Sequence, residues 1–111
     1  MQVPLTDNEF IILDYLADGA QSLTWLVREL HGSKRSWDAS VIVNSLVKLI
    51  DRQLIHYSQS PGGPNFTNPT PEVIHAQVIG VLDNNEQHWW IELTEAGQST
   101  WETWQQTKFG S

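Results

Sequence analysis

Residues 36–54, SWDASVIVNSLVKLIDRQL, constrain the possible fold more than any other stretch of the chain. Ile42, Leu46, Leu49 and Ile50 fall at i, i+4, i+7 and i+8, while Asn44, Lys48, Asp51 and Arg52 fall on the other side, the spacing of an amphipathic helix with one face to bury. Ser36 or Asp38 supplies a side-chain acceptor for the free N–H groups of its first turn. Gln53 and Leu54 mark its end. A helix of this kind needs partners on its apolar side, and the flanking sequence provides them.

At 111 residues the chain is long enough for one domain, residues 1–111, with a real core and no need of disulfides or metal. It has no cysteine, which excludes both a disulfide framework and a thiolate metal site. The opening MQVPLTDNEF has neither a basic nor an apolar signal region, and no apolar run approaches the roughly 20 residues of a membrane span. A cytoplasmic protein with no membrane partner is the expectation. Net charge is −7, unevenly spread. Five of the six bases (Arg28, Lys34, Arg35, Lys48, Arg52) lie within residues 28–52 beside only Glu29, Asp38 and Asp51, and residues 53–107 contain no Lys or Arg. Phosphate contacts dominate nucleic-acid affinity, so any nucleic-acid footprint has to come from that one segment.

Taken in order, residues 5–16 predict a first helix, with Thr6 as N-cap, Glu9 as capping-box partner and Asp18-Gly19 as the stop. Residues 20–23 predict an extended linker. Ser22 or Thr24 then caps a second helix running to about His31, with Leu23, Leu26, Val27 and Leu30 apolar and Gly32 ending it. Two helices joined by the polar turn Lys34-Arg35-Ser36 have the helix-turn-helix arrangement. Residues 54–58 predict a strand, and the Gly, Pro and Asn of residues 60–71 predict a loop. Residues 72–82 suit a short helix, with Thr70 as cap and Pro71 at the first helical position, although residues 78–82 also fit a strand. After a turn at residues 83–86, residues 88–93 predict a strand in which Trp89 and Trp90 point to opposite faces. Thr94 caps a last helix that carries Gly97, Trp101 and Trp104 on one stripe.

Three helices, a strand, a long excursion, a strand and a helix is an order similar to that of winged-helix domains. DASVIVNSLVKLIDRQLIHY resembles the recognition helix and following strand of regulators of the MarR and PadR kind, and ELTEAGQSTWE is similar to their second wing strand and the helix after it. Leu93, Thr94 and Gly97 match the Leu-Thr-x-x-Gly pattern that recurs there, and Leu5-Thr6 resembles the opening of such domains. The resemblance implies an α+β winged helix-turn-helix fold: a three-helix core, a two- or three-stranded wing carrying a long insertion at about residues 60–85, and a C-terminal helix. This chain departs from the pattern twice. Gln53 stands where relatives carry Gly, and the expected wing, residues 59–87, contains no base where DNA-binding relatives have Arg or Lys near the tip.

Chemistry-bearing constellations are absent from the sequence. His31, His56, His75 and His88 show no metal-ligand spacing, Gly62-Gly63 sits between prolines rather than between a strand and a helix, and no nucleophile stands beside a base. No catalysis, cofactor or metal is expected. Six tryptophans do need an account. Trp25, one of Trp89 and Trp90, and one of Trp101 and Trp104 are expected to fill the core. The remainder either pack against the insertion or mark an interface, where large rigid aromatics are favoured. Trp37, Val41, Trp90, Trp101 and Trp104 are therefore the candidate protein contacts.

The function expected first is an acidic, non-catalytic interaction module that binds a protein partner or itself. A dimeric DNA-binding transcriptional regulator is the alternative, reading DNA with the helix at residues 38–53 and touching it through Arg28, Lys34, Arg35, Ser40, Asn44, Lys48 and Arg52. The third expectation is a small acidic inhibitor or immunity-type protein that covers a basic active site.

Overall fold

The computed structural model describes residues 5–32, 36–58, 66–67, 69–85 and 89–109. The architecture is α+β: helices α1 (Asp7–Leu16), α2 (Leu23–Gly32), α3 (Ala39–Asp51), α4 (Pro71–Leu82) and α5 (Glu95–Phe109), and strands β1 (Gln21–Ser22), β2 (Ile55–Ser58), β3 (Phe66–Thr67) and β4 (Trp90–Leu93). The strands form one antiparallel sheet in the order β1-β4-β2-β3.

Local chemistry fixes the helix starts. The Thr6 hydroxyl accepts from the Glu9 backbone N–H at 3.3 Å and donates to Oε1 of the Glu9 carboxylate at 3.0 Å; Glu9 is buried, and among the described residues its Oε2 has no partner. The Ser22 hydroxyl accepts from the Trp25 N–H, Asp38 from the Val41 N–H and Thr70 from the Val73 N–H. Of the paired alternatives, Ser22 rather than Thr24 and Asp38 rather than Ser36 cap their helices. Each bond satisfies one of the donors that an α-helix leaves free in its first turn.

The apolar stripe of α3 is buried as the spacing predicts, with Ile42, Leu46 and Leu49 at 0 % exposure. A second stripe, Val43 and Ile50 with Val47 alongside, is also covered or partly covered. The helix that follows the loop makes this possible. α4 packs chiefly against α3 and also against α2, burying Ile74, Val78 and Val81 at i, i+4 and i+7. Residues 71–82 are thus helical, and the excursion between β2 and β4 adds a layer to the core. Burying an aliphatic side chain of this size contributes about 1.5 to 3 kcal/mol.

Two differences from the sequence reading concern the sheet. Residues 21–22, expected in a linker, form β1, whose residues Gln21 and Ser22 pair with Ile91 and Trp90. Residues 66–67, expected in a loop, form β3, with Thr67 opposite Tyr57. Two-residue strands carry no periodicity of their own; their pairing comes from the longer strands beside them. The remainder of the loop at residues 59–65 and 68, and the strand start at His88, lie outside the described residues.

The Leu93-Thr94-x-x-Gly97 pattern has a physical account. The Thr94 backbone N–H donates to the Leu54 carbonyl at 3.0 Å, its hydroxyl donates to the Gln53 carbonyl at 2.6 Å, and that same hydroxyl accepts from the Gly97 N–H at 3.0 Å. One residue therefore caps α5 and ties it to the end of α3. Gly97 sits so close to the Leu54 carbonyl that a Cβ there would collide with the oxygen. Gln53 adopts φ +60°, the left-handed conformation that glycine takes without steric cost. The turn is kept with a glutamine in it.

Candidate interaction surface

Helices α1 and α5 lie against each other, and their contact is aromatic. Phe10 projects from α1 onto Trp104 of α5, the rings stacked with centroids 5.0 Å apart and planes 12° from parallel. Both side chains remain partly exposed. One turn earlier on α5, the Trp101 indole Nε1–H donates to the Asp14 carboxylate at 3.0 Å, one helical turn beyond Phe10 on α1. Tyr15, next along α1, meets Trp25 of α2 edge to face at 5.8 Å, and Trp25 is 41 % exposed. Five aromatic side chains thus lie along α1 between Phe10 and Tyr15, none of them fully buried.

Beside the Phe10–Trp104 stack lies an open groove of about 390 Å³, lined by Phe10, Ser99, Thr100, Thr103 and Trp104. That volume is within the few-hundred-Å³ range of small binding clefts. The Thr103 hydroxyl is turned back to the Ser99 carbonyl at 3.0 Å, which leaves the aromatic faces and aliphatic carbons as the main lining. Among the described side chains, the exposed charged residues of the two helices are Asp7, Asp14, Glu95 and Glu102, and the sequence of α5 also contains Lys108.

The structure exchanges two tryptophans relative to expectation. Trp37, offered as a protein contact, is only 8 % exposed: its N–H donates to the Leu30 carbonyl and its own carbonyl bonds the His31 ring nitrogen Nδ1 at 3.0 Å, which folds it into the core. Trp25, expected in the core, stands outside because Leu23, Leu26, Val27 and Leu30 already define the buried side of α2. Val41 is partly buried and packs against the core. Trp89 tilts against buried Tyr57 at 6.3 Å, while Trp90 occupies the other face of β4, opposite Ser58 and Ser22. Trp101 and Trp104 come together with Phe10 and Asp14, two residues the sequence reading did not single out for this surface.

The candidate nucleic-acid contacts are less concentrated. Ser40, Asn44 and Lys48 share one exposed strip of α3, continued by Asp51, with Arg52 partly buried at its end and Arg28 exposed on α2. Lys34 and Arg35 lie outside the described residues. Asp38, at the start of the strip, has its carboxyl held below the ordinary carboxylate value by the Val41 N–H and then by the Ser40 hydroxyl, so it stays charged there. At the sheet, His56 and Glu92 meet at 2.7 Å across β2 and β4. The Tyr57 phenol is buried, which pushes its ionisation well above the usual range, and among the described residues its hydroxyl has no partner.

Among the described residues no group of three or more His, Asp or Glu side chains gathers as a metal site, and no helix is long and apolar enough to cross a membrane. Comparison with protein-family models, curated proteins and solved structures finds no match to this chain.

Proposed function

We propose that this chain is a winged-helix interaction module, non-catalytic, which binds a protein partner or itself through the aromatic face of α1 and α5. The observation that carries the reading is the Phe10–Trp104 stack, partly exposed beside a mainly apolar groove. Large aromatics in partly exposed, preformed positions are where binding energy concentrates. The winged-helix part is supported by the element order and by the sheet, in which β1, between the first two helices, lies along the outer edge of β4. An expanded wing whose helix α4 packs back onto α2 and α3 fits the same reading.

A DNA-binding regulator is the second reading, favoured by one observation: the strip Ser40, Asn44 and Lys48 is exposed along one side of α3. Asn44 has the chemistry to read adenine, and Ser40 and Lys48 to touch phosphate. Against it, Asp38 and Asp51 flank the same strip, so the local field offers phosphate little attraction. The two readings separate in one experiment. Oligomeric state is measured by light scattering, and duplex DNA of mixed sequence is then titrated at low salt with tryptophan fluorescence as the signal. Interaction through α1 and α5 predicts association or partner capture that Trp104→Ala weakens, with no salt-dependent DNA binding. DNA binding that weakens steeply with salt and is lost on Lys48→Glu establishes the second reading instead.

A further inference from the structure

We propose that the groove between α1 and α5 receives an apolar side chain from a cationic protein segment, so that the partner is a basic protein or peptide rather than a second copy of this chain. The inference rests on the interaction-module reading above and adds the chemistry of the partner to it.

Shape and lining set the first half of the requirement. The groove, about 390 Å³ and open to solvent, is lined by Phe10 of α1 and by Ser99, Thr100, Thr103 and Trp104 of α5. It suits an aliphatic or aromatic side chain entering from outside, the anchor-in-pocket arrangement of interface hot spots.

Charge sets the second half. Within α1 and α5 the sequence has five acids against one base, Lys108; Asp7, Asp14, Glu95 and Glu102 are exposed, while Glu9 is buried and adds nothing to the surface. No Lys or Arg occurs anywhere in residues 53–107. The field over this face is therefore negative, and a partner with Lys or Arg flanking its apolar anchor gains both on-rate and specificity from it. A second copy docked by two-fold symmetry sets the same acidic face against itself, with repulsion around the apolar centre. Apart from Lys108, which α5 itself carries, the bases of this chain among the described residues, Arg28, Lys48 and Arg52, are on α2 and α3, outside the groove. Placing them in a neighbour's groove makes a head-to-tail contact, which needs a particular rotation to close into a ring and otherwise propagates. A separate basic partner satisfies both requirements without either cost.

The test uses the full chain and three synthetic peptides as probes: an amphipathic Leu/Lys helix former, a Ser/Lys peptide of the same charge, and a Leu/Glu peptide of the opposite charge. Binding is read by calorimetry and by tryptophan fluorescence, and self-association by light scattering at the same concentrations. The expected result is that the Leu/Lys peptide binds about tenfold or more tightly than either control. Trp104→Ser and, as a second variant at an exposed position, Thr103→Arg each weaken it by about tenfold or more. Asp7→Asn with Glu102→Gln lowers affinity by a smaller factor and flattens its salt dependence. Equal binding of the Leu/Lys and Ser/Lys peptides, or indifference to Thr103→Arg in a variant whose circular dichroism is unchanged, overturns the proposal. Preference for the Leu/Glu peptide, or self-association that Trp104→Ser abolishes, overturns the basic-partner inference while leaving the interaction module in place. Absence of both peptide binding and self-association removes both.

Discussion

Helix α4 lies within the excursion between β2 and β4, helix α5 follows β4, and each packs on helices from the N-terminal half of the chain, yet they use different side chains to do it. α4 presents Ile74, Val78 and Val81, which are buried to within 1 % exposure against α2 and α3. α5 presents Trp101 and Trp104, both left partly open on α1. The aliphatic stripe of α4 is fully covered, although Val73 and Ile79 on its other side are 44 % and 36 % exposed, whereas the aromatic pair of α5 is covered only in part. The difference teaches that α4 is fastened to the core by fully buried aliphatic side chains and α5 to α1 by aromatic ones that stay partly exposed.

The comparison breaks most easily at α4. Ile74→Ala is expected to cost about 2 to 5 kcal/mol, the range for a fully buried isoleucine, in urea unfolding followed by circular dichroism. A loss below about 1 kcal/mol would put α4 outside the core. Next comes the junction that sets the position of α5. Gly97→Ala forces a Cβ against the Leu54 carbonyl and is expected to cost about 1 to 3 kcal/mol in the same assay, whereas an alanine at an ordinary helix position is favourable. Trp104→Ala is expected to cost less than Ile74→Ala despite removing more atoms, about 0.5 to 1.5 kcal/mol from the lost stack plus a modest area term. A cost equal to that of Ile74→Ala would assign Trp104 to the core.

The smallest effects are those of pH. Asp38 has a depressed folded-state pKa, so the stability it contributes is present above its unfolded value of 3.8 and is lost as pH falls through the lower folded value. Asp38→Asn keeps a capping side chain and should remove that part of the acid dependence. Tyr57 behaves in the opposite sense: burial raises its folded pKa, so its contribution is full below the unfolded value of 10.0 and declines as pH rises above it. Tyr57→Phe should flatten the alkaline side of a stability profile measured by thermal unfolding.

Much of the fold was legible because its determinants are short-range. Thr6 with Glu9, Thr70 with Pro71, and the stripe Ile42, Leu46, Leu49 are decided within a turn or two of chain, and each forms as the spacing predicts. β1 and β3 were not legible, since a two-residue strand exists only by its register with β4 or β2. The tryptophans divide along the same line. Trp25 stands off the buried stripe of α2, a signal present in the sequence but outweighed by the size of the side chain. Trp37 precedes α3 where no period applies, and its burial depends on bonds to Leu30 and His31. The aromatic surface was legible in half: Trp101 and Trp104 share a stripe of α5, but Phe10 and Asp14 join them only through packing between the two ends of the chain.

The most direct test of the central claim uses the six tryptophans as reporters, one indole N–H signal each in a nitrogen-15 correlation spectrum. Titrated with the Leu/Lys peptide, the Trp104 and Trp101 signals should move together and saturate while those of Trp37 and Trp89 stay in place. Movement of Trp37 with Trp104 and Trp101 unchanged, or no movement at any indole, would contradict the claim that α1 and α5 form the surface by which this protein acts.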